Sequence, residues 1–316
     1  MKRDLTSIAD LTRGDIDRIL DRAAAFDAID WRGGEKLTTL RGRLVVSLFY
    51  ESSTRTSTSF DLAAKRLSAD VMGIKAAGSS VDKGESLRDT VQTLDQYGPA
   101  AFVVRHPHAG AAAQVASFTD ASVVNAGDGK HEHPSQALLD LFAIRRRLGG
   151  LDGVRVWIVG DVLHSRVARS GVLALVKMGC DVTLCGPPTL IPRDIEQLGC
   201  RVTYTLDGID QADVVYSLRM QHERMQGSFV PSLREYVAQY QINGERLGAH
   251  QLLMHPGPVN RGVELSDDLV DDPRSLILEQ VQAGVVVRMA VLEDLLAAPP
   301  EHVSHATSLA KEPQPA

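Results

Sequence analysis

The chain predicts an α/β fold of two domains, each a parallel sheet flanked by helices, with a C-terminal helix packing back on the first. Three observations carry this expectation. Short apolar strands alternate with helical patterns almost throughout, as strand–helix–strand units require. At 316 residues there is room for two domains of ordinary size, each able to bury a core. A helical stretch is stopped by Gly149-Gly150, and Leu151-Asp152-Gly153 then leads into a new strand series.

In the first half, strands are expected near 43–50, 70–74, 100–104 and 122–125. Helices near 13–29, 55–69, 84–97 and 109–118 separate them. A longer helix opens at His133-Pro134 and runs through Leu138, Leu141, Phe142 and Ile144 to Leu148. The second half shows strands near 154–159, 181–185, 201–205, 213–217 and 251–254. The last helix, about 275–297, has an apolar stripe through Ile277, Val281, Val285, Met289 and Leu292 that is too wide to leave in water. Residues from Pro299 to Ala316 hold few apolar groups and read as a disordered tail.

Composition bounds the function. Hydrophobic residues make up 44% and charged residues 23%, a globular balance. Forty acids against 34 bases leave a net charge of −6, which points to neither nucleic acid nor an anionic membrane as partner. The three cysteines, Cys180, Cys185 and Cys200, fit a reduced compartment and show no metal spacing. No apolar run reaches the length of a membrane span, and Met1-Lys2-Arg3-Asp4 lacks the apolar core of a signal peptide, so the cytoplasm is the expected location.

Ser53-Thr54-Arg55-Thr56 is the most informative segment. It joins the buried-strand pattern Leu44–Tyr50 to a helical pattern through Phe60, Ala63, Ala64 and Leu67. The first amides of a helix have no partner within it, and the helix dipole adds partial positive charge, so this end suits a phosphate or another compact dianion. Arg55 can grip two oxygens, and the hydroxyls of Ser53, Thr54 and Thr56 can donate to others. Capping the helix would need only one hydroxyl.

Five further polar clusters fall at the ends of predicted elements. They are Ser79 with Lys83-Gly84-Glu85; Arg105-His106-Pro107; His133-Pro134-Ser135-Gln136; Arg166 followed at a later strand end by Arg219-Met220-Gln221; and His255-Pro256-Gly257-Pro258. In parallel sheets, ligands sit beyond the carboxyl ends of the strands, where these clusters lie. Together with the first segment they supply four arginines, a lysine, histidine, glutamine and hydroxyls, without paired carboxylates, a metal set or an activated nucleophile. Such a set binds polyanions and stabilises negative charge developing on oxygen. The turn Val159-Gly160-Asp161-Val162 lacks the glycine spacing of a dinucleotide loop, and no Walker loop is present.

On these motifs, and over nearly the whole chain from Leu44 to Leu292, the sequence resembles the aspartate and ornithine carbamoyltransferases. Phe49-Tyr50-Glu51-x-Ser53-Thr54-Arg55-Thr56 and the four clusters around Lys83, Arg105, His133 and His255 follow in the family's order. The resemblance implies a carbamoyl-phosphate-binding domain at 1–134, an aspartate-binding domain at 135–284, a returning helix at 285–298 and a tail at 299–316. It implies that Ser53, Thr54, Arg55, Thr56 and Arg105 hold the phosphate of carbamoyl phosphate, and that Thr56, Arg105 and His133 bind the carbonyl oxygen. Gln136 and the Pro256 backbone would take the carbamoyl nitrogen, next to an expected cis bond between Gly257 and Pro258. Arg166, Arg219 and Gln221 would hold the two carboxylates of L-aspartate, with Glu51 pairing with Arg166. Ser79 and Lys83 would enter from the neighbouring subunit of a homotrimer with shared sites. No cofactor is implied, and association with a regulatory chain or with dihydroorotase stays open.

Two other readings compete. Ornithine-specific members pair a Ser-Met-Gly loop with His-Cys-Leu-Pro, whereas this chain has Arg219-Met220-Gln221 and His255-Pro256-Gly257-Pro258. Two cationic grips favour an acceptor with two carboxylates. A non-catalytic anion-binding paralogue would show degraded site residues, and the one departure is Ser57, where the family usually has Arg; a changed surrounding of the phosphate grip is expected there.

Overall fold

A computed structural model describes residues 4–34, 36–75, 84–221, 229–230 and 232–297. Ser79, Lys83 and the tail at 299–316 therefore lie outside the described residues. The first sheet holds β1 (Leu44–Phe49), β2 (Asp70–Lys75), β3 (Ala101–His106) and β4 (Ser122–Asp128), all parallel, in the order β2-β1-β3-β4. The second holds β5 (Arg155–Val159), β6 (Asp181–Cys185), β7 (Arg201–Thr203), β8 (Val214–Ser217) and β9 (Leu252–Met254), also parallel, in the order β7-β6-β5-β8-β9.

The helices are α1 (Arg13–Asp27), α2 (Thr54–Arg66), α3 (Leu87–Asp95), α4 (Ala111–Ala116), α5 (Pro134–Leu148), α6 (Arg166–Lys177), α7 (Leu233–Tyr240), α8 (Asp267–Val270) and α9 (Ile277–Leu296). Every strand expected from the sequence is present, with β7 ending two residues early. The helices α6, α7 and α8 were not resolved by the sequence pattern. The first residues also add to the first sheet: Leu5 donates to the Val123 carbonyl at 2.8 Å and accepts from the Asn125 amide at 2.9 Å.

Central strands are buried on both faces, so they read as continuous apolar runs, and alternate side chains enter different cores. Val156 and Ile158 of β5 face a core shared with the first domain, while Trp157 and Val159 face one closed by Tyr236 and Tyr240 of α7. In β1, Val45 and Phe49 join the shared core, and Val46 and Leu48 join a third one with Phe102 and Val115. The shared core explains α9, whose buried Val286, Val287, Ala290 and Val291 pack among α1, α2 and α5. Surface pairs seal this contact, among them Arg18 to Asp294 at 2.9 Å and Arg146 to Glu279 at 2.9 Å. Among the described residues, no helix is long and apolar enough to cross a membrane.

This topology aims the carboxyl ends of β1, β3 and β4 of one sheet, and of β5, β8 and β9 of the other, at one cleft. The segments after those ends carry the polar clusters.

Candidate active site

A cavity of about 670 Å³ lies in that cleft. Its lining contains every sequence-predicted site residue except Ser79 and Lys83: Ser53, Thr54, Arg55, Thr56, Arg105, His133, Gln136, Arg166, Arg219, Gln221, Pro256, Gly257 and Pro258. Among the described lining residues Glu51 is the one carboxylate, set against five arginines.

The first-domain wall is the start of α2. Ser53 caps it, its hydroxyl accepting from the Thr56 amide at 3.3 Å, which leaves the first-turn amides directed at the cavity. Arg55 and Thr54 are exposed, whereas Thr56 is buried with its Oγ1 3.5 Å from Nε2 of His133. Ser57 turns its hydroxyl back to the Ser53 carbonyl at 2.6 Å, so the residue that departs from the family pattern contributes to helix geometry rather than to the cavity.

His133 precedes α5 as its N-cap residue, its amide donating to Ser170 Oγ at 2.8 Å. Burial, and then the charges of Arg105, Arg288 and Arg166, hold its imidazole well below the usual histidine range. It is therefore neutral at pH 7 and donates through a single ring N–H.

Glu51 ties the walls together. One of its oxygens meets Arg166 Nη2 at 2.6 Å and lies 3.3 Å from Arg105 Nε, which is the Glu51–Arg166 pairing that the resemblance implies. Arg166 also donates to the Gly129 carbonyl at 3.2 Å and is only 4% exposed. Gly127, at φ +117°, lets the guanidinium approach: a Cβ there would stand 3.1 Å from Arg166 Cζ.

The second-domain wall comes from three loops. Gln221 donates its amide to Asp161 at 3.3 Å, and Asp161 also accepts from the His164 amide at 3.1 Å. The loop after β9 is fixed by His255, whose Nδ1 accepts from the Gly257 amide at 2.9 Å while its Nε2 faces Glu264 at 3.2 Å. The Gly257–Pro258 bond is cis. Gly257 lies at φ +63° against Arg55, and a Cβ on it would fall 2.9 Å from Arg55 Cζ. The loop of one domain thus packs on the arginine of the other.

Sequence reasoning missed what α5 and α9 add to the cavity. Gln280, Val281 and Arg288 line it, and so does Leu139 of α5. Arg288 is 4% exposed, donates to Ser59 Oγ at 2.7 Å and stacks 5.0 Å from the Phe60 ring. Burial lowers its pKa to about 10, which leaves it charged at neutral pH. The available signal was a lone arginine inside the apolar run from Val285 to Val291, which is costly unless the residue has a buried role.

The family's carbamoyl-phosphate-binding domain matches residues 3–146, and its Asp/Orn-binding domain matches residues 152–295. The chain belongs to the aspartate/ornithine carbamoyltransferase family. Within that family it is 55% identical to the aspartate carbamoyltransferase catalytic subunit of Acidothermus cellulolyticus over 94% of this chain and 93% of the relative. The aspartate transcarbamoylase of Trypanosoma cruzi in complex with carbamoyl phosphate and aspartate superposes with a TM-score of 0.85 at 34% identity, over 93% of this chain and 97% of that one. The catalytic subunit of M. jannaschii aspartate transcarbamoylase gives a TM-score of 0.82 at 36% identity, over 93% of this chain and 98% of that one.

Proposed function

We propose that the chain transfers the carbamoyl group of carbamoyl phosphate to the amine of L-aspartate, giving N-carbamoyl-L-aspartate and phosphate in pyrimidine biosynthesis. The observation that carries this reading is the facing of two anion grips across one cavity, α2's N-terminus with Arg55 on one wall and Arg166 with Arg219 on the other. The aspartate amine attacks the carbamoyl carbon, the carbonyl oxygen becomes an oxyanion, and the C–O bond to phosphate breaks. The departing phosphate takes the amine proton. Thr56, Arg105 and the N–H of neutral His133 stabilise the oxyanion, and holding both substrates in line supplies the remaining rate advantage. Ser79 and Lys83 complete the site from a neighbouring subunit of a homotrimer in the cytoplasm.

The test is a carbamoylation assay with aspartate and ornithine in parallel, with molar mass measured by light scattering on the same sample. Expected are one phosphate per carbamoyl aspartate, no reaction with ornithine, and the mass of three chains. Faster carbamoylation of ornithine would overturn the acceptor assignment, since Arg166 and Arg219 would then face a cationic side chain. An active monomer would overturn the shared site.

A further inference from the structure

Beneath Gln136 lies a carboxylate for which the reaction above has no use. Asp140 stands one turn further along α5, 4% exposed, and three donors converge on it from three elements. Its Oδ1 accepts from Gln136 Nε2 at 3.0 Å and from Gln280 Nε2 at 2.7 Å, and its Oδ2 accepts from the Tyr216 hydroxyl at 2.7 Å. Gln280 Oε1 in turn accepts from the His255 amide at 3.1 Å.

These contacts settle the direction of both side-chain amides. The two ends of a glutamine amide differ only in hydrogen-bonding character, so the network around them decides which end is which. Asp140 Oδ1 can only accept while the carboxylate is ionised, so the NH₂ ends of Gln136 and Gln280 turn toward it. The Gln136 carbonyl is then left for the cavity. Gln280 is oriented at both ends, and through the His255 amide it fixes the start of the loop whose next carbonyl belongs to Pro256.

We propose that Asp140 is a positioning residue that presents two carbonyl acceptors, Gln136 Oε1 and Pro256 O, to the cavity and thereby selects a carbamoyl over an acyl phosphate. The proposal rests on the reading of Gln136 and Pro256 as the partners of the carbamoyl nitrogen. A carbamoyl group carries an NH₂ where an acetyl group of nearly the same shape carries a CH₃. An acceptor pair held in place rewards the first and is left unsatisfied by the second. If the Gln136 amide turned over, its NH₂ would oppose the substrate's NH₂ and the preference would vanish.

Acceptor geometry, rather than charge, is what the arrangement needs. Burial pushes the Asp140 carboxyl up to about 7, so both forms are populated near neutrality. A proton on Oδ2 points at Tyr216, whose hydroxyl can accept as well as donate, and leaves Oδ1 an acceptor for both glutamines. Asparagine can reproduce that arrangement with its oxygen at Oδ1 and its NH₂ toward Tyr216. Alanine cannot.

The experiment measures calorimetric binding of carbamoyl phosphate, acetyl phosphate and inorganic phosphate to the full chain without aspartate. The wild type is expected to favour carbamoyl phosphate over acetyl phosphate by roughly tenfold or more. In Asp140→Ala the preference should fall to within about threefold, with inorganic phosphate affinity changed less than about twofold, while Asp140→Asn keeps the preference. Should the alanine variant not fold, Asp140→Leu fills the volume without an acceptor and is expected to behave as alanine would. An unchanged preference in the alanine or leucine variant overturns the proposal. So does a parallel loss of inorganic phosphate affinity, which marks a merely structural role, and so does loss of the preference in the asparagine variant. A wild type that binds carbamoyl phosphate but carbamoylates no aspartate would sink the functional reading instead, so the two failures are distinguishable.

Discussion

On the first-domain wall of the cleft Arg55 stands exposed at the start of α2, whereas across from it Arg166 is 4% exposed and held by Glu51 and the Gly129 carbonyl. The first wall is local: in the proposed reading, four consecutive residues and the helix they begin make an anion grip whose dipole, amides and hydroxyls come from one segment. The second wall is assembled from three separate β-strand ends, at Arg166, Arg219 and His255, which lie 53 and 36 residues apart in sequence, and Arg166 is tied by an acid from the other domain. A contiguous grip works as soon as its helix forms. A composite one works only when both domains are in register, which couples acceptor binding to the domain arrangement.

Arg55→Ala should break the local wall. One preorganised donor to a transition-state anion is worth about 3–4 kcal/mol, a hundredfold or more in kcat. Because Arg55 is exposed, the melting temperature should stay within about 2 °C, as for surface changes in general. Retention of half the activity at saturating carbamoyl phosphate would remove the phosphate role from the motif. Mixing this variant with Lys83→Ala under subunit exchange should restore activity, because some sites then receive an intact Arg55 and an intact Lys83 from different chains. Persistent inactivity with exchange confirmed by a tag would refute the sharing of sites.

Glu51→Gln should weaken the composite wall by less. The amide keeps an oxygen for Arg166 but loses the charge-assisted bond, which is worth roughly 1.5–3 kcal/mol in such pairs. The expected outcome is about a tenfold rise in KM for aspartate with a smaller change for carbamoyl phosphate. Equal changes for both substrates would show that Glu51 supports the whole cleft through Arg105 as much as through Arg166.

The same contrast decides what was legible in the sequence. The Ser53–Thr56 grip was readable because a strand pattern, three hydroxyls, an arginine and a helix pattern are adjacent. The strands were readable because burial on both faces leaves continuous apolar runs, as in Leu44–Phe49. The pairing of Glu51 with Arg166 and the roles of Arg219 and Gln221 came only through resemblance, since nothing local brings residues 115 positions apart together. Asp140, Gln280 and Arg288 escaped because each sits in a helix whose apolar neighbours dominate the pattern, and their partners are on other elements. Helices α6 to α8 escaped as well; α8 spans four residues, too few for periodicity to register.

A last effect concerns acid, to which buried groups of this chain respond with opposite signs. Burial, foremost among the causes, lowers the pKa of His106, His133 and His255, so below about 6.5 the unfolded chain binds more protons at these positions than the folded one. Their contribution to stability is present above that pH and is lost as pH falls. Asp140 has the reverse sign. Burial raises it from 3.8 to about 7, so the folded chain binds the extra proton, and its contribution is present below about 4 and lost as pH rises through about 7. Between pH 5 and 6.5 the two therefore oppose each other, and the wild type should lose stability to acid only gently. Asp140→Asn removes the carboxyl and leaves the histidines unopposed. Its urea midpoint, measured from pH 7.5 to 5, should fall more steeply than the wild type's, the two diverging by up to about tenfold in folding constant per pH unit. Parallel profiles would mean that Asp140 stays ionised in the folded chain over this range. The three donors converging on it would then outweigh its burial.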